Sequence, residues 1–192
     1  MLTLRPYQSA LIEAIRQQVA SVAEGIVMPE YPQLICGADP GSNGGIAFIG
    51  AHIEKPFAVA YKLPETPAEF FELLREYGPF VVRAFVERVR SSPQMGVCSA
   101  FTFGRNYERI LMGLAGCSVS TEEVLPAKWQ RSLGCLTHGD KNVSKARAQQ
   151  LFPSLKITHA IADSLLIAEY GRRQVVGSPM PKSEESLTLS LS

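Results

Sequence analysis

Asp39 closes the apolar run Leu34-Ile35-Cys36-Gly37-Ala38 and is followed at once by Pro40 and Gly41, so its carboxylate sits where the backbone leaves a strand. Glu87 closes a second run, Phe80 to Val86. Asp163 interrupts the otherwise apolar helical stretch His159-Ala-Ile-Ala-Asp163-Ser-Leu-Leu-Ile-Ala168, and His159 lies one turn before it on the same face. Desolvating a lone carboxylate is costly, so Asp163 needs a partner, a metal or an edge of burial. If the two strand ends are neighbours and the last helix crosses beside them, three carboxylates and an imidazole converge. Such a cluster repels itself unless cations fill it, and oxygen-rich sites suit Mg²⁺ or Mn²⁺. Two ions about 4 Å apart activate a water and stabilise the leaving oxygen of a phosphodiester. The expected chemistry is metal-assisted phosphodiester hydrolysis. Each residue also has an ordinary reading: Asp39 as a turn former, Glu87 as half of a surface ion pair with Arg88, His159 as a helix-start residue.

Basic residues gather near these acids although the 192-residue chain carries a formal charge of only +1. Arg83, Arg88, Arg90, Arg105 and Arg109 flank Glu87, and Lys128, Arg131, Lys141, Lys145 and Arg147 precede the last helix with Asp140 as the one acid among them. Phosphate-contacting surfaces have this composition, and so do solvated helical faces. Phe101, Phe103 and Tyr107 recur at near-helical spacing and read as core or dimer contacts before base-stacking platforms. The loop Gly41-Ser42-Asn43-Gly44-Gly45 lacks both GxxxxGK[ST] and GxGxxG, so it carries no nucleotide-binding signature of its own.

The elements that must position these groups follow from hydrophobic patterning. Strands are expected at 34–38, 46–49 and 57–61, forming an antiparallel meander. Thr66-Pro67-Ala68-Glu69 opens a helix by the capping-box pattern, and Gly78-Pro79 stops it. A fourth strand over 80–86 delivers Glu87, a helix covers 97–115, a fifth strand 121–125, and helices follow at 126–133, 142–152 and 159–175. The order β-β-β-α-β-α-β-α-α-α predicts an α/β fold: a mixed five-stranded sheet with helices on both faces. Residues 1–30 read as an N-terminal helical extension, 33–174 as the globular domain and 177–192 as a Ser/Pro-rich tail. With 46% hydrophobic and 19% charged residues the chain can bury a core. No apolar run reaches the ~20 residues of a membrane span. Four scattered cysteines without zinc spacing read as reduced core residues, which predicts a soluble cytoplasmic protein with no membrane partner.

Taken together, these motifs resemble the RuvC family of Holliday-junction resolvases, particularly its phage and prophage branch. Gly37-Ala-Asp39-Pro40-Gly41-Ser-Asn-Gly44-Gly45 is similar to the first motif and Phe85-Val-Glu87-Arg88-Val89 to the second. Ser99-Ala-Phe101-Thr-Phe103-Gly104-Arg105, Pro126-Ala-Lys128-Trp129-Gln, Gly139-Asp140-Lys141 and His159-Ala-Ile-Ala-Asp163 continue the likeness in order, over roughly residues 34–173. The resemblance implies an RNase H-like fold, a homodimer in the bacterial host cytoplasm, and paired nicks in branched DNA. It makes Asp39, Glu87 and Asp163 metal-binding and catalytic carboxylates for about two Mg²⁺ or Mn²⁺ ions. His159 is assigned the fourth place, since Ala160 stands where relatives carry it. Arg90, Arg105, Lys128, Lys141 and Lys145 are the expected DNA contacts.

Residues 1–25 lie outside that resemblance. Leu4-Arg5-Pro6-Tyr7-Gln8 looks like the opening of superfamily-two helicases, but without a Walker A motif an appended packing helix is the expectation, and a replication or recombination helicase is a candidate partner. Competing functions are a related nuclease acting on flaps, R-loops or structured RNA, a non-catalytic junction-binding protein, and an actin-like nucleotide-binding fold, for which the chain has no second phosphate loop.

Overall fold

A computed structural model describes residues 33–51, 57–88, 96–137 and 140–176. The expected N-terminal helix, the C-terminal tail and Arg90 lie outside the described residues. Five strands form one sheet: β1 (Leu34–Ala38), β2 (Gly45–Gly50), β3 (Ala58–Lys62), β4 (Val81–Glu87) and β5 (Thr121–Val124), in the order β3-β2-β1-β4-β5. β1 to β3 pair antiparallel, whereas β4 runs parallel to β1 and β5 parallel to β4. The helices are α1 (Pro67–Tyr77), α2 (Val97–Gly116), α3 (Pro126–Ser132), α4 (Lys141–Leu151) and α5 (His159–Val176). Element order and type match the expectation throughout, with boundaries displaced by a residue or two.

Alternation along the strands feeds two cores, one on each face of the sheet. Ile35, Ala47, Ile49 and Phe85 pack with Trp129 of α3, Ala148 of α4 and Leu165, Leu166 and Ala168 of α5. Leu34, Cys36, Ala38, Phe48 and Val86 pack with Phe70, Leu74 and Tyr77 of α1 and Ile110 and Leu114 of α2. α1 starts at the expected capping box: Glu69 N–H donates to Thr66 Oγ1, and the Glu69 carboxylate accepts from Thr66 N–H.

α5 is the element that fixes the site, because its backbone lies directly against the sheet. A Cβ on Gly37 of β1 would stand 2.3 Å from Ala168 N and 2.4 Å from Ser164 O. A Cβ on Gly45 of β2 would stand 2.4 Å from Ala160 O. Only residues without side chains let the helix come this close, and the obstructing atoms are backbone that cannot swing aside. Gly37→Ala is therefore expected to cost about 3 kcal/mol, read from urea unfolding. Gly116→Ala, at the end of α2 with open space where its Cβ would go, should be neutral or slightly stabilising.

Candidate active site

The β1–β4 register aligns Gly37 with Phe85 and Ala38 with Val86, so Asp39 and Glu87 emerge level from the carboxyl ends of adjacent parallel strands. Ligand crevices of open α/β sheets form at such ends. α5 crosses above them and contributes His159 and Asp163, while α4 contributes Lys141 from its first turn. All five side chains line one cleft of about 330 Å³. The turn after Asp39 adds Ser42 and Asn43, and the first turns of α2 add Ser99 and Phe103.

Each carboxylate is held differently. Asp39 Oδ1 accepts from Gly41 N–H at 2.9 Å, so the turn role is real and coexists with a place in the cleft. Glu87 Oε2 accepts from the indole Nε1–H of fully buried Trp129, also at 2.9 Å. Arg88 does not form the adjacent ion pair with Glu87; its guanidinium lies 3.7 Å from Glu123. Among the described residues Asp163 Oδ1 is shielded from water and has no hydrogen-bond partner of normal geometry. The neighbouring Ser144 hydroxyl lies close enough to lower the Asp163 pKa, yet it too completes no hydrogen bond of normal geometry.

These carboxyls hold protons more tightly than free ones. Burial pushes Asp39 up to about 6; the Gly41 N–H opposes this, the Asp163 charge adds to it and the Lys141 ammonium opposes it. Burial pushes Glu87 up to about 8, reinforced by the Asp39 charge, with the Trp129 hydrogen bond pulling the other way. Asp163 is also raised by burial, against Ser144, Lys141 and His159. Acids that retain protons for want of positive charge, beside an orphaned carboxylate oxygen, form a donor set that fits a hard divalent cation. Among the described residues no three His, Cys, Asp or Glu side chains stand together as a ready-made ion cage.

The expected phosphate contacts separate into two groups. Lys141 lines the cleft and Lys145 follows one turn later on α4. Arg105 is exposed on α2, two residues from Phe103. By contrast, Lys128 lies 3.7 Å from Glu122 with its ammonium 5.8 Å from the Tyr170 ring centroid. Arg83 also reaches Glu122, Arg109 donates to the carbonyls of Pro64 and Glu65, and Arg147 donates to Leu133 O. Much of the basic cluster thus ties elements of the fold together.

Sequence reasoning missed Trp129, Ser144, Ser42, Asn43 and Ser99 as parts of the site. Trp129 is the chain's one tryptophan, but its reach to Glu87 depends on α3 packing against α5 in the core on that face of the sheet, which spacing does not reveal. The aromatic residues of α2 divide: Tyr107 packs against a core and its hydroxyl donates to Glu123, Phe101 is 68% exposed, and Phe103 belongs to neither core and faces the cleft. A larger hollow of about 370 Å³ between β3 and α1 is lined by Tyr61, Leu63, Leu73 and three glutamates. It lacks a converging set, since Glu69 caps α1 and Glu65 lies 3.9 Å from Lys62.

Raised carboxyl pKa values have a definite consequence for stability. The folded chain binds protons more tightly than the unfolded one, so stability falls as pH rises from about 4, where unfolded carboxyls ionise, to about 8, the folded value of Glu87. In EDTA the loss across that window should be on the order of 1–3 kcal/mol by urea unfolding. Glu87→Gln, which keeps an acceptor for Trp129, should flatten the profile and exceed the wild type at pH 8.

No protein-family model matches the chain, and no curated protein matches it. Among solved structures it is similar to Thermus thermophilus RuvC in complex with a Holliday junction substrate. Identity is 16% and the TM-score 0.52, over 76% of this chain and 96% of that one. It is likewise similar to a Thermus thermophilus RuvC structure at 18% identity and a TM-score of 0.51, covering 76% and 97%. The five-stranded mixed sheet flanked by helices is the RNase H-like, RuvC-type fold.

Proposed function

We propose that this protein is a divalent-metal-dependent endonuclease that cuts branched DNA, with the four-way junction as its preferred substrate. The observation that carries the reading is the convergence of Asp39, Glu87 and Asp163 from two adjacent strand ends and one crossing helix into a single cleft. The solved RuvC complex of the same fold holds a Holliday junction, which supports branched DNA as the substrate class.

Asp39, Glu87 and Asp163 would hold Mg²⁺ or Mn²⁺, with His159 at the start of α5 available as a fourth donor. When bound, two such ions supply a water activated at neutral pH and neutralise the leaving oxygen of a phosphodiester. The chain's own residues set the conditions for this. Trp129 fixes the Glu87 carboxylate, Gly41 N–H fixes Asp39, and Lys141 brings a positive charge to the phosphate side of the cleft. Lys145, one turn beyond Lys141 on α4, and exposed Arg105 on α2 are the further contacts, and Arg90 is carried as one from the sequence.

A homodimer completes the reading. Val97, Phe101 and Met112 recur on one side of α2 and are 85%, 68% and 63% exposed, with Phe71 of neighbouring α1 at 59%. Apolar side chains at this density suit a second copy of the same face. A two-fold pair presents two identical clefts to a near two-fold junction, which accounts for symmetric nicks.

The test is cleavage of a labelled immobile four-way junction, compared with duplex and flap DNA, in Mg²⁺ and in Mn²⁺. Asp39→Asn, Glu87→Gln and Asp163→Asn are each expected to reduce cutting at least about 10³-fold while leaving metal-free junction binding intact. Preferred cutting of flaps keeps the chemistry and moves the substrate. Binding without cutting in either metal overturns the nuclease reading. In a separate measurement, Lys141→Ala with Lys145→Ala should weaken binding and reduce the slope of log K against log salt by about 2. An unchanged slope places the phosphates elsewhere.

A further inference from the structure

Ser144 is the one buried polar residue of α4, a helix whose remaining buried position is Ala148, one turn on. Its residue exposure is 2%, and its hydroxyl makes no hydrogen bond among the described residues. A helical serine usually satisfies itself on the carbonyl four residues earlier, here Asp140 O, and Ser144 does not. Alanine would serve α4 better on propensity alone, and a buried hydroxyl without a partner is destabilising. Across the packed α4–α5 interface stands the other orphan of this region, Asp163 Oδ1, also buried and also without a partner. The α4–α5 contact brings the Ser144 and Asp163 side chains within reach of each other.

We infer that Ser144 is a positioning residue for the divalent-ion site: its hydroxyl donates to Asp163 Oδ1 and so holds the carboxylate with its other oxygen turned into the cleft. The inference rests on the reading that Asp163 holds a metal ion. The two unpaired atoms complement one another, one donor and one acceptor, and a rotation of the hydroxyl about its Cα–Cβ bond is the only adjustment on the serine side. With its other oxygen on an ion, the Asp163 carboxylate would be held from behind by the Ser144 hydroxyl. Partners behind a metal ligand typically change metal affinity 10–100-fold when removed. Lys141, one turn before Ser144, lines the same cleft, so α4 would serve the site with two residues at helical spacing.

The experiment compares wild type, Ser144→Ala, Ser144→Thr and Asp163→Asn in full-length protein without DNA. Mn²⁺ affinity is read by electron paramagnetic resonance of the free ion, and thermal midpoints are read in EDTA. Ser144→Ala is expected to weaken Mn²⁺ binding about tenfold. Its EDTA midpoint should be equal to or above the wild type, because an unsatisfied hydroxyl has been removed. In junction cleavage the metal concentration for half-maximal rate should rise by a similar factor, with kcat at saturating metal changing less. Ser144→Thr, which keeps the hydroxyl, should restore the Mn²⁺ affinity. Unchanged Mn²⁺ affinity in Ser144→Ala, while Asp163→Asn weakens it, overturns the inference and leaves the metal site standing. A fall in the EDTA midpoint with unchanged affinity also overturns it, since the hydroxyl would then be structural. If the wild type takes up no Mn²⁺, the metal-site reading falls and this inference with it.

Discussion

The whole arrangement depends on how closely one helix approaches two strands. At Gly37 and Gly45 the backbone of α5 rests on the backbones of β1 and β2, with no room for a methyl group between them. The contact fixes the height of the helix above the sheet. Asp163, between Ala160 and Ser164 in sequence, is thereby lowered to the level where Asp39 and Glu87 leave their strands. Any side chain at either glycine lifts the helix, and Asp163 moves with it. The glycine pair therefore constrains the cleft as much as the packing, since functional constellations tolerate displacements of only about 0.5 Å.

The same helix carries a buried and a half-buried carboxylate with opposite fates. Glu169 is 3% exposed, and both its oxygens accept from guanidinium groups, Arg172 and Arg173 at 2.8 Å. Burial alone would raise its pKa, but the two arginines outweigh burial and lower it. Asp163, six residues earlier, has no arginine and keeps a raised pKa. Within one element the chain thus shows how it neutralises a structural carboxylate and that it has left Asp163 without this treatment. On the proposed reading a divalent cation would supply positive charge here; burial displaces Glu87 furthest of the cleft's acids, up to about 8.

The legible part of the sequence was that governed by local rules. Period-two and helical patterning located all ten strands and α-helices of the described residues, the capping box at Thr66–Glu69 marked the start of α1, and acids at the ends of apolar runs marked the cleft. What stayed hidden depends on contacts between distant segments. Trp129 and Glu87 are far apart in sequence and meet only because α3 packs against α5 in the core on that face of the sheet. Ser144 reads as an ordinary helix residue until α5 is laid beside α4. The arginines near Glu87 looked like a single phosphate-facing cluster, yet Arg83 and Arg88 reach across to Glu122 and Glu123 of β5. A parallel strand pair brings those opposite charges side by side, and no sequence window contains both partners.

This division of the basic residues bears on how a nearly neutral chain would engage a polyanion. A net charge of +1 supplies no bulk attraction to a polyanion, so affinity for DNA would rest on where the basic residues cluster. Arg83, Arg88, Arg109 and Arg147 are committed to contacts within the fold, and Lys128 to Glu122. Lys141 and Lys145 on α4 and Arg105 on α2 are placed at or around the cleft instead. A surface with few, concentrated positive charges gains most from a substrate that brings several phosphates to one place at once. The crossover of a branched structure does this and a straight duplex does not. On this argument, selectivity for branched DNA needs no base-specific contact, and it should weaken if positive charge were added elsewhere on the surface.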